Sequence, residues 1–184
     1  MKILNGKIIS KQNLLLLGIM ISAVLIDQLS KIWLTSTLQI GESIELIPSF
    51  FKITYAQNTG AAWSVLEGHM TFFYVVTIIA LILLGWYFKN LKDYQIVQKI
   101  GVILMIAGTL GNFIDRLLFQ FVRDSLDFRI LDYNFPIFNI ADILLVSGVF
   151  LLIIDEAING ILSVVPVTSL RAYIFLSAKA ISDV

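Results

Sequence analysis

The chain has 184 residues, with 13 basic and 13 acidic side chains, one His and no Cys; 58% of residues are apolar, 14% are charged, and the mean hydropathy is +0.90. Soluble domains carry about 25% charged residues, so a solvated globular surface is excluded and the composition is that of a membrane protein. Balanced charge without a basic patch excludes nucleic acid as a partner; the missing Cys excludes disulfides and thiolate chemistry, and His69 alone cannot build a zinc site.

A spanning helix needs roughly 20 mostly apolar residues. Four segments qualify, at about 14–34, 70–88, 100–119 and 138–162. The first shows no small-residue cleavage site of the kind that ends a signal peptide. It runs instead into a polar helical turn and is a retained span. Lys and Arg in the loops set orientation. Eight fall in the N-terminal tail, the 89–99 loop and the segment after 162, against three in the 35–69 and 120–137 loops. Both termini are therefore predicted inside, and the two long loops outside.

The outer stretch Ser43–Ser64 is rich in Ile, Phe, Thr, Tyr and Trp, with Pro48 and Asn58-Thr59-Gly60 as turn signals. This pattern predicts short strands. The second outer loop carries Asp124, Asp127 and Asp132 and ends in Phe135-Pro136. The predicted fold is an all-α membrane protein, four transmembrane helices with a small extracytoplasmic β-rich subdomain. It forms one domain over 1–162, followed by a cytoplasmic tail over 163–184.

Ionisable residues inside spans are costly and are functional candidates by default. Asp27 and Lys31 lie four apart on one face of the first span, in the order that favours an ion pair. A structural pair anchoring that helix end is the simplest reading. Asn112, Asp115 and Arg116 share a face near the end of the third span, just after Gly108 and Gly111, which allow close helix approach. Packing and a snorkelling Arg would account for some of this cluster, but three polar groups exceed what packing requires. Asn139 and Asp142 open the fourth span, where Asp142 alone would read as a helix cap.

All these groups, with Asn58 and Asp124 of the loops, fall on the same outer side. A polar pocket at the outer membrane boundary explains the coincidence. Asp is its abundant reactive type. Two carboxyls sharing a site cannot both ionise easily, so one can serve as base on a water while the other donates to a carbonyl oxygen. The competing reading is a small ion- or proton-conducting membrane carrier. A conducting path needs polar groups through the membrane depth, and the second span has no charged group near its centre.

At these residues the sequence resembles the lipoprotein signal peptidases, the type II signal peptidases of bacteria. The resemblance rests on Asp27-Gln-Leu-Ser-Lys31, Asn58-Thr-Gly-Ala-Ala-Trp63, Gly111-Asn-Phe-Ile-Asp-Arg116, Val122-Arg-Asp124 and Phe138-Asn-Ile-Ala-Asp142, in that order. It implies an aspartic endopeptidase of the bacterial inner membrane, acting on diacylglyceryl-modified prolipoproteins just before the lipidated Cys. It also implies an enzyme that needs no metal and is blocked by globomycin-type inhibitors; a monomer among membrane lipids, without cofactor, is expected. Asp124 and Asp142 would be the catalytic pair. Asn58, Gly60, Asn112, Arg116, Asn139 and Ala141 would bind substrate, and Asp27, Lys31 and Asp115 would hold the fold around them. The seven residues between Arg116 and Asp124 match the family pattern; Asp127 would require three more.

Overall fold

The computed structural model describes residues 3–4, 7–8, 10–60 and 68–164. Trp63 and Ser64 of the expected strand run lie outside the described residues, as does the tail beyond 164. Four helices dominate: α1 Lys11–Thr37, α2 Met70–Asn90, α3 Ile96–Phe119 and α4 Ile140–Val164. Their ends fall within four residues of the apolar segments read from the sequence. By length and composition α1, α2 and α3 are each able to cross a membrane. The Ser10 hydroxyl caps α1 by accepting from the Asn13 N–H at 3.1 Å. Gln120 ends α3 in the left-handed conformation, its N–H donating to the Arg116 carbonyl at 3.1 Å.

α3 is the hub on which α1, α2 and α4 all pack. On α1 the buried positions are Leu16, Ala23, Asp27, Lys31 and Leu34, one stripe at helical spacing. Leu14, Leu25, Leu29 and Ile32 on the other faces are exposed. Apolar surface outside with charges inside is what lipid selects, because a buried ion must find its partner within the bundle. Small residues set the approach of the helices. A Cβ added at Gly111 would lie 2.5 Å from Asp27 Oδ2 and 3.1 Å from the Ala141 methyl, so α1, α3 and α4 converge on that glycine.

Ahead of α1 lies a small hairpin of β1 (Ile3–Leu4) and β2 (Lys7–Ile8). The two long loops build one antiparallel sheet of β3 (Ser43–Ile47), β4 (Phe51–Asn58), β5 (Val122–Ile130) and β6 (Tyr133–Asn134), in that order. β3 and β4 fall in the stretch where strands were expected. The sequence reading had not predicted β5. It pairs with β4 in the register Asn58↔Val122, Ala56↔Asp124 and Phe51↔Phe128, which fastens the first loop to the second. Phe138 then bridges Leu126, with Ser125 and Leu126 both donating to its carbonyl, so the chain enters α4 tied to the sheet.

Candidate active site

The site is built on a buried ionic layer at the sheet end of the bundle. Lys31 Nζ lies 3.0 Å from Asp27 Oδ2 and 3.5 Å from Asp115 Oδ2, and all three side chains are at most 1% exposed. Asp115 is held further by Arg123, through its backbone N–H at 2.9 Å, Nε at 3.1 Å and a terminal guanidinium nitrogen at 2.7 Å. Asp27 Oδ1 accepts the Ala141 N–H at 2.9 Å, satisfying one of the free donors in the first turn of α4. Removing one partner of such a buried pair typically costs about 3–5 kcal/mol, because a charge is left unmatched.

Above this layer two carboxyls are placed by amides. Asp124, on β5, accepts from Asn58 Nδ2 at 3.0 Å and from Asn139 Nδ2 at 2.6 Å. Asp142, in the first turn of α4, accepts from Asn112 Nδ2 at 2.8 Å and from the Asn139 N–H at 3.0 Å. Asn139 therefore touches both acids, and its Oδ1 accepts the Asp142 N–H at 3.1 Å. Burial pushes the Asp124 carboxyl up to about 7; the hydrogen bond from Asn139 opposes that rise and the negative charge of Asp142 adds to it.

Both acids line a cavity of about 700 Å³ with Asn58, Gly60, Asn112 and Arg116. Its other wall is apolar, with Val76 and Ala80 from α2 facing Ile143 and Val146 from α4. The cavity therefore joins a polar rim to an apolar slot. Arg116 reaches across the rim, donating to the Gly60 carbonyl at 3.1 Å while its guanidinium stacks 4.6 Å from the centre of the Phe73 ring. The Asn58 side chain accepts the Gly60 N–H at 2.9 Å, which fixes that turn. A second groove, of about 760 Å³ between α1 and α4, has an almost wholly apolar lining and no carboxylate.

Six residues named from the sequence, Asn58, Gly60, Asn112, Arg116, Asp124 and Asp142, thus meet at one cavity. Asn139 and Ala141 are 1% and 0% exposed and stand one layer behind its wall. Asp127 lies apart. On a strand, residues three apart face opposite sides, and Asp127 accepts from Thr54 Oγ1 at 2.7 Å rather than joining the pair. A helical continuation of α3 would have kept the two acids on one face, but the chain is extended there.

Sequence reasoning missed two residues that support the site, Arg123 and Gln28, and also the burial of Lys99 at the other end of α3. Arg123 and Lys99, counted as loop charges, are buried in ion pairs with Asp115 and Asp93. Gln28 donates to Asp27 at 2.9 Å and to the Gly111 carbonyl at 3.1 Å, and accepts from Arg123 at 3.2 Å. Its only sequence signal was its place beside Asp27.

Paired carboxyls at one end of an apolar helical bundle define a membrane enzyme of the aspartic type. The family model described as signal peptidase (SPase) II matches residues 19–158, and the chain belongs to that family. The lipoprotein signal peptidase of Staphylococcus aureus strain bovine RF122 / ET3-1 is 48% identical over 136 residues, 74% of this chain and 83% of that one. That of strain JH9 is 47% identical over the same shares. A bacterial membrane enzyme solved by the in meso method at 2.3 Å superposes with a TM-score of 0.75 at 44% identity, covering 79% of this chain and 88% of that one. Another, at 1.9 Å, gives 0.71 at 45% identity over 77% and 91%.

Proposed function

We propose that this protein is an intramembrane aspartic endopeptidase that removes the signal peptide from diacylglyceryl-modified prolipoproteins, cutting just before the lipidated Cys. The observation that carries this reading is the pairing of Asp124 and Asp142 at the polar end of a cavity whose other wall is apolar. The acyl chains can stay in that slot while the peptide bond reaches the acids.

The chemistry needs one proton on the pair. The ionised carboxylate takes a proton from a water as its oxygen attacks the scissile carbonyl carbon. The protonated carboxyl gives its proton to the carbonyl oxygen, forming a gem-diol. The C–N bond then breaks as the first acid returns its proton to the leaving nitrogen and the second recovers one from a diol hydroxyl. The products are a carboxylic acid and the free amine of the lipidated Cys, and the pair is reset. Asn58, Gly60, Asn112 and Arg116 position substrate; Asn139 and Ala141 act from behind. Asp27, Lys31 and Asp115 hold the helices together.

In this reading α4 is a fourth span, both termini lie inside, and the sheet and cavity face the outer side of the bacterial inner membrane. Its length, its packing along α3 and the exposed apolar side chains Val146, Phe150 and Ile153 support that role. The domain comprises 1–162 with a tail over 163–184, and the protein acts as a monomer among membrane lipids. Purified protein should convert a diacylglyceryl-modified prolipoprotein to a faster-migrating product, and globomycin should block the shift. An unchanged substrate would refute the reading.

A further inference from the structure

Lys31 makes one contact that fastening helices does not require. Asp115 is already paired with Arg123, and Asp27 is held by the Ala141 N–H and Gln28. The ammonium nevertheless donates to Asn112 Oδ1 at 3.1 Å. That contact decides which way the Asn112 carboxamide points, because the reverse orientation would set an NH2 group against an ammonium. With Oδ1 held by Lys31, Nδ2 must face the other side, where Asp142 Oδ1 accepts it at 2.8 Å.

We propose that Lys31 is a positioning residue for Asp142: through Asn112 it holds that carboxylate ionised as the base that takes the water's proton, which leaves Asp124 as the acid carrying the shared proton. The placement of the two acids points the same way independently. Asp142 lies in the first turn of α4, where the positive end of the helix favours a negative charge. Asp124 lies within a strand and is 3% exposed, where burial favours the protonated form over the charge; the Asn58 and Asn139 amides that donate to its oxygens offset this only in part. The other charged and titratable groups around the pair are Asp27 from α1, Asp115 and Arg116 from α3, and Tyr74 of α2, whose hydroxyl donates to the Arg116 carbonyl. Arg116 acts on both acids, more strongly on Asp142.

This inference rests on the peptidase reading, and the charge-balanced variant Asp27→Asn/Lys31→Met tests it. The variant removes one acid and one base together, leaves Asp115 with Arg123, and keeps an oxygen at position 27 for the Ala141 N–H. On a diacylglyceryl-modified prolipoprotein its kcat should fall by about 10²-fold, the scale of a misplaced reacting group, with KM and melting temperature close to wild type. A folded variant with wild-type kcat, or one altered in KM alone, would overturn the proposal. Should the double variant not fold, Lys31→Arg keeps the charge but replaces the compact ammonium on Asn112 with a larger planar fork that this fully buried position cannot hold in the same geometry. The same split of kcat from KM is expected there, and wild-type kcat would again overturn the proposal. A wild-type protein that leaves this substrate intact would instead remove the peptidase reading, and this inference with it.

Discussion

Asn139 and Asp142 hold each other at the start of α4: the Asn139 N–H donates to Asp142 Oδ2 at 3.0 Å, and the Asp142 N–H donates to Asn139 Oδ1 at 3.1 Å. This reciprocal cap leaves the Asn139 NH2 group free to hold Asp124 at 2.6 Å. The two jobs can be separated. Ser at position 139 keeps an oxygen for the cap but has no amide for Asp124. Asn139→Ser should therefore lose most turnover with little change in melting temperature. Asn139→Ala should lose turnover together with the value of a cap, about 0.5–2 kcal/mol. Equal stability loss in both variants would show that the cap is not what Asn139 supplies.

Arg116 spans the rim with a fork that Lys cannot copy. A hydrogen bond to a charged group is worth about 1.5–3 kcal/mol, and each 1.4 kcal/mol is about tenfold. Arg116→Lys should therefore lower kcat/KM by about 10- to 100-fold while the protein stays folded. Near-normal turnover would reduce Arg116 to an interfacial anchor.

The Cys-free chain suits single-Cys labelling of topology. Leu131, at the tip between β5 and β6, is 97% exposed, and Tyr94, between α2 and α3, is 76% exposed. An impermeant reagent added to intact cells should label Leu131→Cys and spare Tyr94→Cys. The reverse pattern would invert the orientation.

The helices were legible because hydropathy alone marks spans, and the polar clusters because charge inside a span is conspicuous. β5 was legible too, but went unread. Val122, Leu126, Phe128 and Ile130 alternate with Arg123, Ser125, Asp127 and Arg129, the period of a half-buried strand. Asp124 is the one member of the apolar series that is charged, which singles it out from Asp127 without reference to any relative. The roles of Arg123, Lys99 and Gln28 were not legible. Counting loop charges assumes that they are solvated, and the Gln28 partners Gly111 and Arg123 lie 83 and 95 residues away in sequence.

Asp124 also links pH to stability. Its carboxyl stands at about 7 in the folded protein against an ordinary 3.8. Between those values the folded state binds more protons than the unfolded chain, so stability falls as pH rises through that window. Asp124→Asn is neutral throughout and escapes this loss. Its melting temperature relative to wild type should rise between about pH 4 and about pH 7 and level off above that. A gap that does not change with pH would mean that Asp124 is not held protonated by its surroundings.

The central claim is that Asp124 and Asp142 share one proton and act together on a single water. Asn keeps the shape of Asp but can neither take up nor release that proton. The most direct measurement is cleavage of a diacylglyceryl-modified prolipoprotein by Asp124→Asn, Asp142→Asn and Asp127→Asn, with each variant first shown to be folded in detergent. The account predicts no cleavage from the first two and substantial cleavage from the third. Cleavage by Asp124→Asn, together with its loss in Asp127→Asn, would contradict it and move the catalytic acid to Asp127.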